Sequence, residues 1–548
     1  MELEIPQPLA LALQSLVGAQ SPLGRQLGGE GGGSGTRVVS SRHFDGASLT
    51  TLYQLGQASG ASELVFQLLA LDRLNGEPLL RPLANLELLL PEIIDWLGRD
   101  MIDGWLYQRG KDGVLLPWLV HTLRLVRPTD GNAYVVVGLL ANTLQAASRE
   151  PPSDPRLRFT GMTWGLSFYA EDLPGRTLAG LFADHGFHKE CAEFKAEYEV
   201  QLARFMQLQP SFGAQFSVAG PVWVAGESAR APMECLRLPA GTAARCVNDE
   251  ELLQRRFDLA ADPHYWRESG IASGFDRIPQ HGYLHLFHLD WHRPVWVHAQ
   301  HVVPYTYRSD LRDRLVLPQA QRDLIDILTA DRNFLVEDVV PGKSGGTTLL
   351  CRGAPGLGKT LTAEVYAEVV GKPLYRVHSG QLGVSAGSVE ASLTKILQRA
   401  ARWDCVLLLD EADVYIRRRD NDLQHNAIVA EFLRTLEYFS GLLFMTTNRV
   451  DDIDDAILSR CIAVIDFQPP GPDDARRLWR TLATQLGVAL PDALVETLVA
   501  DYAGIGGRDI KELLKLTSKY CRHRGLPLSA AAFAGCAVFR GLRPGATT

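Results

Sequence analysis

The chain has 548 residues, 46% of them hydrophobic and 22% charged, which is the composition of ordinary globular proteins. This length is too great for one hydrophobic core and predicts about three or four domains. The formal net charge of −8 argues against a nucleic-acid coat or an anionic membrane surface as the main partner.

The eight cysteines stand singly without a Cys-x-x-Cys pair, so the sequence indicates neither a disulfide framework nor a zinc ribbon. The start of the chain lacks the basic segment of a signal peptide. The longest apolar runs, such as residues 133–141, are too short to cross a bilayer. We therefore expect a cytoplasmic protein with no membrane among its partners.

Residues 1–36 hold a short apolar piece, residues 9–16, followed by a Gly-rich stretch, residues 28–35. The Gly-rich stretch has the composition of a flexible linker. The apolar piece could be a docking peptide on a tether or part of a disordered arm, and we favour the disordered arm. Deleting residues 1–36 is then expected to leave folding unchanged.

Two α+β regions follow this arm. Residues 37–150 mix apolar helix faces with strand-like runs, the clearest of which are residues 114–126 and 134–140. The Pro-rich residues 150–155 predict a boundary. Residues 151–308 alternate short strands with turns around one charged helix, and we interpret them as an accessory domain.

A cluster of histidines in the accessory region could carry chemistry. Its members are His281, His285, His288, His292, His298 and His301. Histidine is a common metal ligand, but metal sites usually show fixed i, i+2 or i, i+4 spacing with a carboxylate or thiolate nearby. These spacings run from three to six residues across predicted strands. Packed or surface histidines are favoured, and a metal site stays open.

A phosphate-binding loop stands at residues 353–360, between an apolar strand, residues 347–351, and a helix that ends at Gly371. Glycines let backbone N–H groups converge on phosphate oxygens, and the helix N-terminus adds positive potential. The predicted nucleotide contacts are Gly353, Ala354, Pro355, Gly356, Leu357, Gly358, Lys359, Thr360 and Leu361. Lys359 would reach the β- and γ-phosphates of a nucleoside triphosphate and the Thr360 hydroxyl would ligate Mg²⁺. Residues 333–340 could wrap the adenine ring, and residues 342–346 are interpreted as a turn.

Two further strands bring polar groups to the same sheet edge. The buried run of residues 405–409 ends in Asp410 and Glu411. There Asp410 would hold Mg²⁺ through water, and Glu411 would orient and deprotonate the attacking water. An acid-rich helix start is the alternative, but it leaves the buried run unexplained. The next strand, residues 442–447, delivers Asn448, whose amide could hold the water and the γ-phosphate.

Two arginines complete the predicted site. Arg460 precedes the last strand, residues 462–467, as either a helix cap or an arginine finger. Beyond residue 469 the pattern is helical, and Arg508 begins a helix from which it could reach the phosphates.

Residues 310 to about 525 resemble an AAA+ ATPase module. The matching motifs are Gly353–Thr360 (Walker A), Val406–Asp413 (Walker B), Thr446–Asn448 (sensor 1), Ser459-Arg460 (arginine finger) and Gly507-Arg508 (sensor 2). The resemblance implies a multidomain α/β protein. A P-loop domain with a five-stranded parallel sheet would occupy residues 309–468, and an α-helical lid residues 469–548. It also implies rings, usually hexamers, that hold ATP between subunits.

The expected function is a Mg²⁺-dependent ATPase whose ring remodels an unidentified protein target selected by residues 37–308. Two departures from the family bear on it: the loop at Ser379–Ser388 lacks the aromatic of threading members, and the finger box offers a single arginine. A nucleotide-gated assembly scaffold with slow turnover is one alternative. A clamp-loader-like nucleic-acid ATPase is another, which the net charge disfavours.

Overall fold

A computed structural model describes most of the chain and divides it into two compact units. The described residues are 2–28, 35–74, 86–99, 101–142, 162–224, 234–239, 241–250, 271–272, 277–330, 346–383, 385–419, 421–437 and 439–545. The first unit comprises Met1–Gln207, Ala225–Cys235 and Glu251–Tyr283, and the second comprises Leu208–Val224, Leu236–Glu250 and Leu284–Thr548. Within the described residues, no helix has both the length and the apolar composition required to cross a membrane.

The first unit begins with a small α/β fold. Its elements are β1 (Glu2–Pro6), α1 (Gln7–Val17), α2 (Pro22–Leu27), β2 (Thr36–Ser40), α3 (Gly46–Ser59) and α4 (Ser62–Leu74). β1 and β2 pair antiparallel. Leu3, Ile5 and Leu13 are fully buried in the core that these elements share.

The structure therefore differs from the expected disordered arm. Alternation along β1 buries Leu3 and Ile5, and the four-residue spacing of Leu9 and Leu13 buries one face of α1. These segments are short, and they acquire a partner only when β2 returns to pair with β1. Residues 29–34 of the Gly-rich stretch lie outside the described residues.

A buried residue of α1 tests whether this packing matters. Leu13→Ala should lower the local free energy of unfolding by roughly 2–5 kcal/mol, because it removes a buried side chain from a packed core. Hydrogen exchange of the α1 amides under mild denaturant measures this change. Leu16→Ala in the same helix is the matched control, because Leu16 is 64% exposed, and it should stay within about 0.5 kcal/mol of wild type. Equal protection of the α1 amides from hydrogen exchange in both variants would indicate that α1 does not pack into a core, as expected from the sequence.

A six-stranded sheet forms the rest of the first unit. Its strands are β3 (Trp105–Arg109), β4 (Leu115–Val126), β5 (Tyr134–Ala141), β6 (Met162–Tyr169), β7 (Phe187–Lys189) and Ile271–Ala272. The order is β6-β5-β4-β3-β7, and the last, two-residue strand pairs with β4. Helices α5 (Leu86–Gly98) and α6 (Leu178–Asp184) pack on one face. The helix α7 (Ala192–Leu208) packs on the other face.

The boundary expected at residue 150 falls inside this sheet. β5 and β6 pair along eight positions, from Tyr134 opposite Tyr169 to Ala141 opposite Met162. The two expected N-terminal regions thus share one sheet, although the Pro-rich residues 150–155 themselves lie outside the described residues. Composition marks a connection, but it does not tell whether the chain returns to the same sheet.

The second unit begins with a seven-stranded sheet. Its strands are β8 (Gln215–Val218), β9 (Pro221–Val224), β10 (Glu234–Arg237), β11 (Ala244–Asn248), β13 (Tyr283–His288), β14 (Arg293–His298) and β15 (Val302–Pro304), where β12 is Ile271–Ala272 of the other sheet. The order is β10-β9-β14-β13-β11-β8-β15. We call residues 208–224, 236–250 and 284–304 the β-module.

The expected nucleotide-binding domain follows. Its five-stranded sheet comprises β16 (Thr347–Gly353), β17 (Leu374–His378), β18 (Val406–Asp410), β19 (Leu442–Thr447) and β20 (Ala463–Phe467), in the order β17-β18-β19-β16-β20. All of its pairings are parallel, which confirms the prediction. The three inner strands are almost wholly buried, as their continuous apolar runs indicated.

Helices surround this sheet and form the predicted lid. Those of the sheet domain are α8 (Leu311–Arg314), α9 (Gln319–Ala330), α10 (Lys359–Val370), α11 (Ala386–Trp403), α12 (Asp413–Ile416), α13 (Leu423–Leu436) and α14 (Asp455–Arg460). The lid comprises α15 (Pro472–Gln485), α16 (Asp492–Asp501), α17 (Gly507–Arg524) and α18 (Ala530–Ala537). Buried Trp479, Leu513 and Phe533 belong to the lid's own core.

The β-module is fastened to the sheet domain by aromatic contacts that the sequence did not predict. The Phe287 ring lies 5.1 Å from the Trp403 ring and 5.7 Å from the Tyr375 ring, measured between centroids. The Arg399 guanidinium lies 4.3 Å from the centroid of the Phe287 ring. The indole N–H of Trp403 donates to Asp249 Oδ1 at 2.9 Å. The expected boundary at 308–309 therefore separates residues that share one core.

The histidine cluster is dispersed. His281 belongs to the first unit, where its Nε2 lies 2.7 Å from the Pro117 carbonyl oxygen. In the second unit His288 stacks on Trp291 with ring centroids 4.1 Å apart, and His285 Nδ1 lies 3.0 Å from the Asp249 carbonyl oxygen. Across the described ranges, no group of three or more His, Cys, Asp or Glu side chains is placed to hold a metal ion.

Candidate active site

The phosphate loop joins the central strand β16 to helix α10. Gly353 and Gly356 have φ values of 146° and 82°, which few residues with a side chain adopt. A Cβ at Gly353 would lie 2.3 Å from the Phe467 carbonyl oxygen, so glycine is required there. The N-terminus of α10, with its unpaired N–H groups, faces this loop and is suited to an anion such as phosphate.

Lys359, the first residue of α10, is buried at the base of the loop. Its ammonium donates to the carbonyl oxygens of Gly353 at 2.8 Å and Ala354 at 2.7 Å, and to Asn448 Oδ1 at 3.0 Å. Burial lowers the pKa of Lys359 below its ordinary value. The structure thus brings together two residues that the sequence placed on separate segments, the phosphate-loop lysine and the amide that follows β19.

Asp410 ends β18 with both carboxylate oxygens engaged. Oδ1 accepts hydrogen bonds from Thr360 Oγ1 at 2.8 Å and Thr446 Oγ1 at 2.6 Å. Oδ2 accepts from Arg376 Nη2 at 2.6 Å. Burial by itself raises the pKa of Asp410, but these three donors outweigh it and the pKa lies below the ordinary value. The group is therefore an anion at neutral pH.

Glu411 adopts a left-handed backbone conformation, with φ at 56°. A non-glycine residue in this region is strained, and such residues occur often at active sites. Its backbone N–H donates to Thr446 Oγ1 at 3.0 Å, which fixes the turn. Glu411 is exposed, whereas the preceding Asp410 is buried.

A second carboxylate orders the neighbouring strand end. Asp413 Oδ1 accepts hydrogen bonds from the Asn448 backbone N–H at 3.1 Å and from the Thr447 hydroxyl. The sequence motif included Asp413 without a role, and this contact assigns it to holding the backbone of Asn448.

The two arginines predicted for the site differ in position. Arg508 is the second residue of the lid helix α17, and its backbone N–H donates to the Gly356 carbonyl oxygen at 3.2 Å. It thus lies against the phosphate loop. Arg460 ends α14, with Nη1 3.3 Å from the Ala456 carbonyl oxygen and Nη2 3.7 Å from Glu437 Oε2. Among the contacts of the described residues, none joins Arg460 to the Asp410 cluster of its own chain.

Sequence reasoning missed Arg376 and Thr446 as site residues. Arg376 is the one charged side chain of β17, between the buried Tyr375 and Val377. A charged residue between buried apolar residues of a strand indicates that the charge has an ionic partner. Thr446 stood inside a recognised motif, but its contact with Asp410 depends on the pairing of β18 with β19.

Residues 349–469 match the family model described as "ATPase family associated with various cellular activities (AAA)". This chain carries an AAA+ ATPase domain. The matched family is one of ATPases, and the parallel sheet, phosphate loop and carboxylates of this domain lie together as described above. The matched residues all lie in the second unit.

Known proteins resemble this AAA+ ATPase domain over part of their length. An uncharacterized AAA family ATPase of Sinorhizobium fredii is 36% identical over 128 residues, which are 22% of this chain and 38% of that protein. A putative 26S proteasome regulatory subunit homolog of Methanothermobacter marburgensis is 29% identical over 187 residues, or 32% of this chain and 49% of that protein. The chain thus spans less than half the length of these two relatives.

A solved structure also matches part of the chain. It is a chain of the E. coli MS115-1 HORMA:CdnC:Trip13 complex, with a TM-score of 0.36 and 18% identity, and the match covers 43% of this chain and 93% of that one.

Proposed function

We propose that this protein is a Mg²⁺-dependent ATP hydrolase that works as an oligomeric, hexameric ring and remodels a protein target selected by residues 37–308. The observation that carries the proposal is the convergence of three segments at one sheet edge. There Lys359 meets Asn448, and Thr360 meets Asp410, at hydrogen-bond distance. Each of these contacts joins residues at least 50 positions apart in sequence.

Thr360 and Asp410 fit a magnesium ion. A hydroxyl and an ionised carboxylate 2.8 Å apart offer the oxygen ligands that Mg²⁺ prefers, without nitrogen or sulfur. When bound with nucleotide, such an ion neutralises charge on the β- and γ-phosphates. Thr446 contributes by fixing the orientation of the carboxylate, to which it donates at 2.6 Å.

The other residues would act on the phosphates and the water. Glu411 would take a proton from the attacking water as the bond to the γ-phosphorus forms and the bond to the bridging oxygen breaks, with the electron pair leaving on ADP. Lys359 would bind phosphate oxygens in place of its present carbonyl partners, and Asn448 would orient the water. Arg508 would bind phosphate from the lid, and Arg460 would act on the site of a neighbouring subunit.

Attachment of the β-module supports target remodelling by the N-terminal region. Trp403 ends α11, the helix that begins at Ala386, within the segment Ser379–Ser388. Because Trp403 contacts Phe287 and Asp249, the β-module would move together with this helix and not independently of it. Motion of the sheet domain during turnover would therefore pass to the β-module.

One observation favours the scaffold as a second candidate. The Tyr415 hydroxyl lies 2.8 Å from the Ser379 carbonyl oxygen and 2.9 Å from the Gly383 carbonyl oxygen. These contacts fix the backbone of the loop at Ser379–Ser388, which also lacks an aromatic side chain. A loop held in this way suits nucleotide-controlled assembly better than it suits threading of a polypeptide.

ATP turnover with different additives distinguishes the candidates. For a remodeller we expect turnover that requires Mg²⁺ and rises several-fold with a permanently unfolded protein, because target binding is coupled to the ring. Lys359→Ala is the control for contaminating activity. The scaffold would be favoured if the unfolded protein leaves ATP turnover unchanged and ATP alone changes the oligomer size measured by light scattering. Stimulation by DNA or RNA instead would favour the clamp-loader alternative.

A further inference from the structure

Arg376 is the feature of the AAA+ domain that the proposed reaction does not use. It lies in β17, an edge strand whose register places His378 opposite Asp410. Its guanidinium crosses to Asp410 Oδ2 at 2.6 Å. The Asp410 side chain is 5% exposed and the Arg376 side chain is 40% exposed, so the carboxylate end of this contact at the proposed metal site is buried.

A second carboxylate lies within reach of the same guanidinium. Arg376 Nη1 is 3.4 Å from Glu364 Oε1, a longer contact than the one to Asp410. Glu364 stands on α10, one turn after Thr360. The arginine is therefore flanked by two acceptors, one in the metal site and one beside it.

The hydrogen bonding of Arg376 is incomplete in this arrangement. Its Nε–H is buried and has no hydrogen-bond partner within the structure described. A buried donor without a partner is costly, and this indicates that another arrangement of the side chain can satisfy it better.

Binding of a magnesium ion beside Asp410 conflicts with the present contact. A guanidinium and a divalent cation that share one carboxylate repel each other, and a half-buried site screens them incompletely. Glu364 offers the arginine a partner without a large movement of the backbone.

We propose that Arg376 is a positioning residue that neutralises Asp410 in the nucleotide-free site and transfers to Glu364 when Mg²⁺ and nucleotide bind. This role rests on the proposed function, because it requires Thr360 and Asp410 to hold the ion. Arg376 then competes with Mg²⁺ for Asp410, and Glu364 relieves the competition.

The two partners of this exchange should change metal affinity in opposite directions. With a non-hydrolysable ATP analogue bound, Arg376→Met should lower the Mg²⁺ concentration at half-saturation by about tenfold, the effect that one nearby charge commonly has on a binding equilibrium. Glu364→Gln should raise it by a similar factor, because the arginine loses its second partner. Arg376→Lys keeps the charge and should stay near wild type. Mn²⁺ binding followed by electron paramagnetic resonance reports the affinity without any turnover.

A matched control separates this effect from the loss of an arginine as such. Arg434 also bridges two carboxylates, Glu431 and Glu390, in the same domain. Arg434→Met should therefore leave metal affinity unchanged. If Arg376→Met folds poorly, Glu364→Gln still decides, because it leaves the charge that neutralises Asp410 in place and unchanged Mg²⁺ affinity in that variant would contradict the transfer.

Two results would overturn this role. Weaker Mg²⁺ binding by Arg376→Met would make the arginine a support of the metal site, and unchanged affinity in both Arg376→Met and Glu364→Gln would make it a structural ion pair. Both outcomes leave the proposed function intact. Failure of the wild-type protein itself to bind Mg²⁺ with the ATP analogue would instead overturn the proposed function, and this role with it.

Discussion

Glu411→Gln is expected to bind ATP with near wild-type affinity and to lower turnover by about 10²-fold or more. The amide keeps the size of the side chain but cannot accept the proton of the attacking water. The backbone of residue 411 should stay in place, because its N–H is held by Thr446 Oγ1 at 3.0 Å. Single-turnover rates and binding of a fluorescent ATP analogue measure the two quantities separately.

Two variants bracket this result. Lys359→Ala should lose ATP binding as well as turnover, because the ammonium that meets Asn448 also faces the phosphate loop. Glu496→Gln, in the lid, removes a carboxylate that pairs with Arg476 on an exposed surface and should leave turnover unchanged. Near-normal turnover by the Glu411→Gln protein would remove Glu411 from the catalytic role.

Arg460→Ala is expected to be nearly inactive alone and to regain activity when mixed with Glu411→Gln protein. An arginine supplied from outside a phosphoryl-transfer site can contribute about 10³-fold or more in rate. In one chain Arg460 contacts Ala456 and Glu437. If it acts on the neighbour's site, some mixed interfaces combine an intact Glu411 from one subunit with an intact Arg460 from the next, and these interfaces should turn over ATP.

Subunit exchange has to be demonstrated in the same mixtures, for example by energy transfer between labelled subunits. An arginine that serves its own site leaves every site in the mixture short of one group, so exchange without recovered activity would refute the role in trans. A ring that fires only in concert would also show no recovery. Titrating either variant with wild-type protein identifies that case, because activity then falls much faster than in proportion to the mutant fraction.

The AAA+ domain could be predicted in outline because its chemistry follows the ends of parallel strands. Buried apolar runs located β16, β18 and β19, and the polar residues just after them had to meet at one edge. Side-chain contacts between neighbouring strands could not be predicted from the sequence in this way. The bond from Arg376 to Asp410 depends on the register of β17, and that of Thr446 depends on the register of β19.

The N-terminal region was harder for a different reason. The antiparallel pairing of β1 with β2, and of β5 with β6, joins segments across stretches of polar or Pro- and Gly-rich sequence that resemble linkers. Short strands of this kind are stabilised by their partners and not by local propensity. The packing of Phe287 on Trp403 likewise has no local signature, because both residues look like ordinary core aromatics.

Successive residues of β17 face opposite sides of the sheet, so Tyr375 and Arg376 contact different partners. Tyr375 lies 5.7 Å from Phe287 and 5.8 Å from His292 of the β-module, measured between ring centroids, whereas Arg376 binds Asp410. Thermodynamic linkage is reciprocal for binding free energies. Under the proposed function, a target that binds the β-module more tightly in one position of β17 would change the affinity for Mg²⁺ and nucleotide by the same factor by which these change the affinity for the target. The edge strand β17 would then couple target binding at the β-module to metal and nucleotide binding at Asp410.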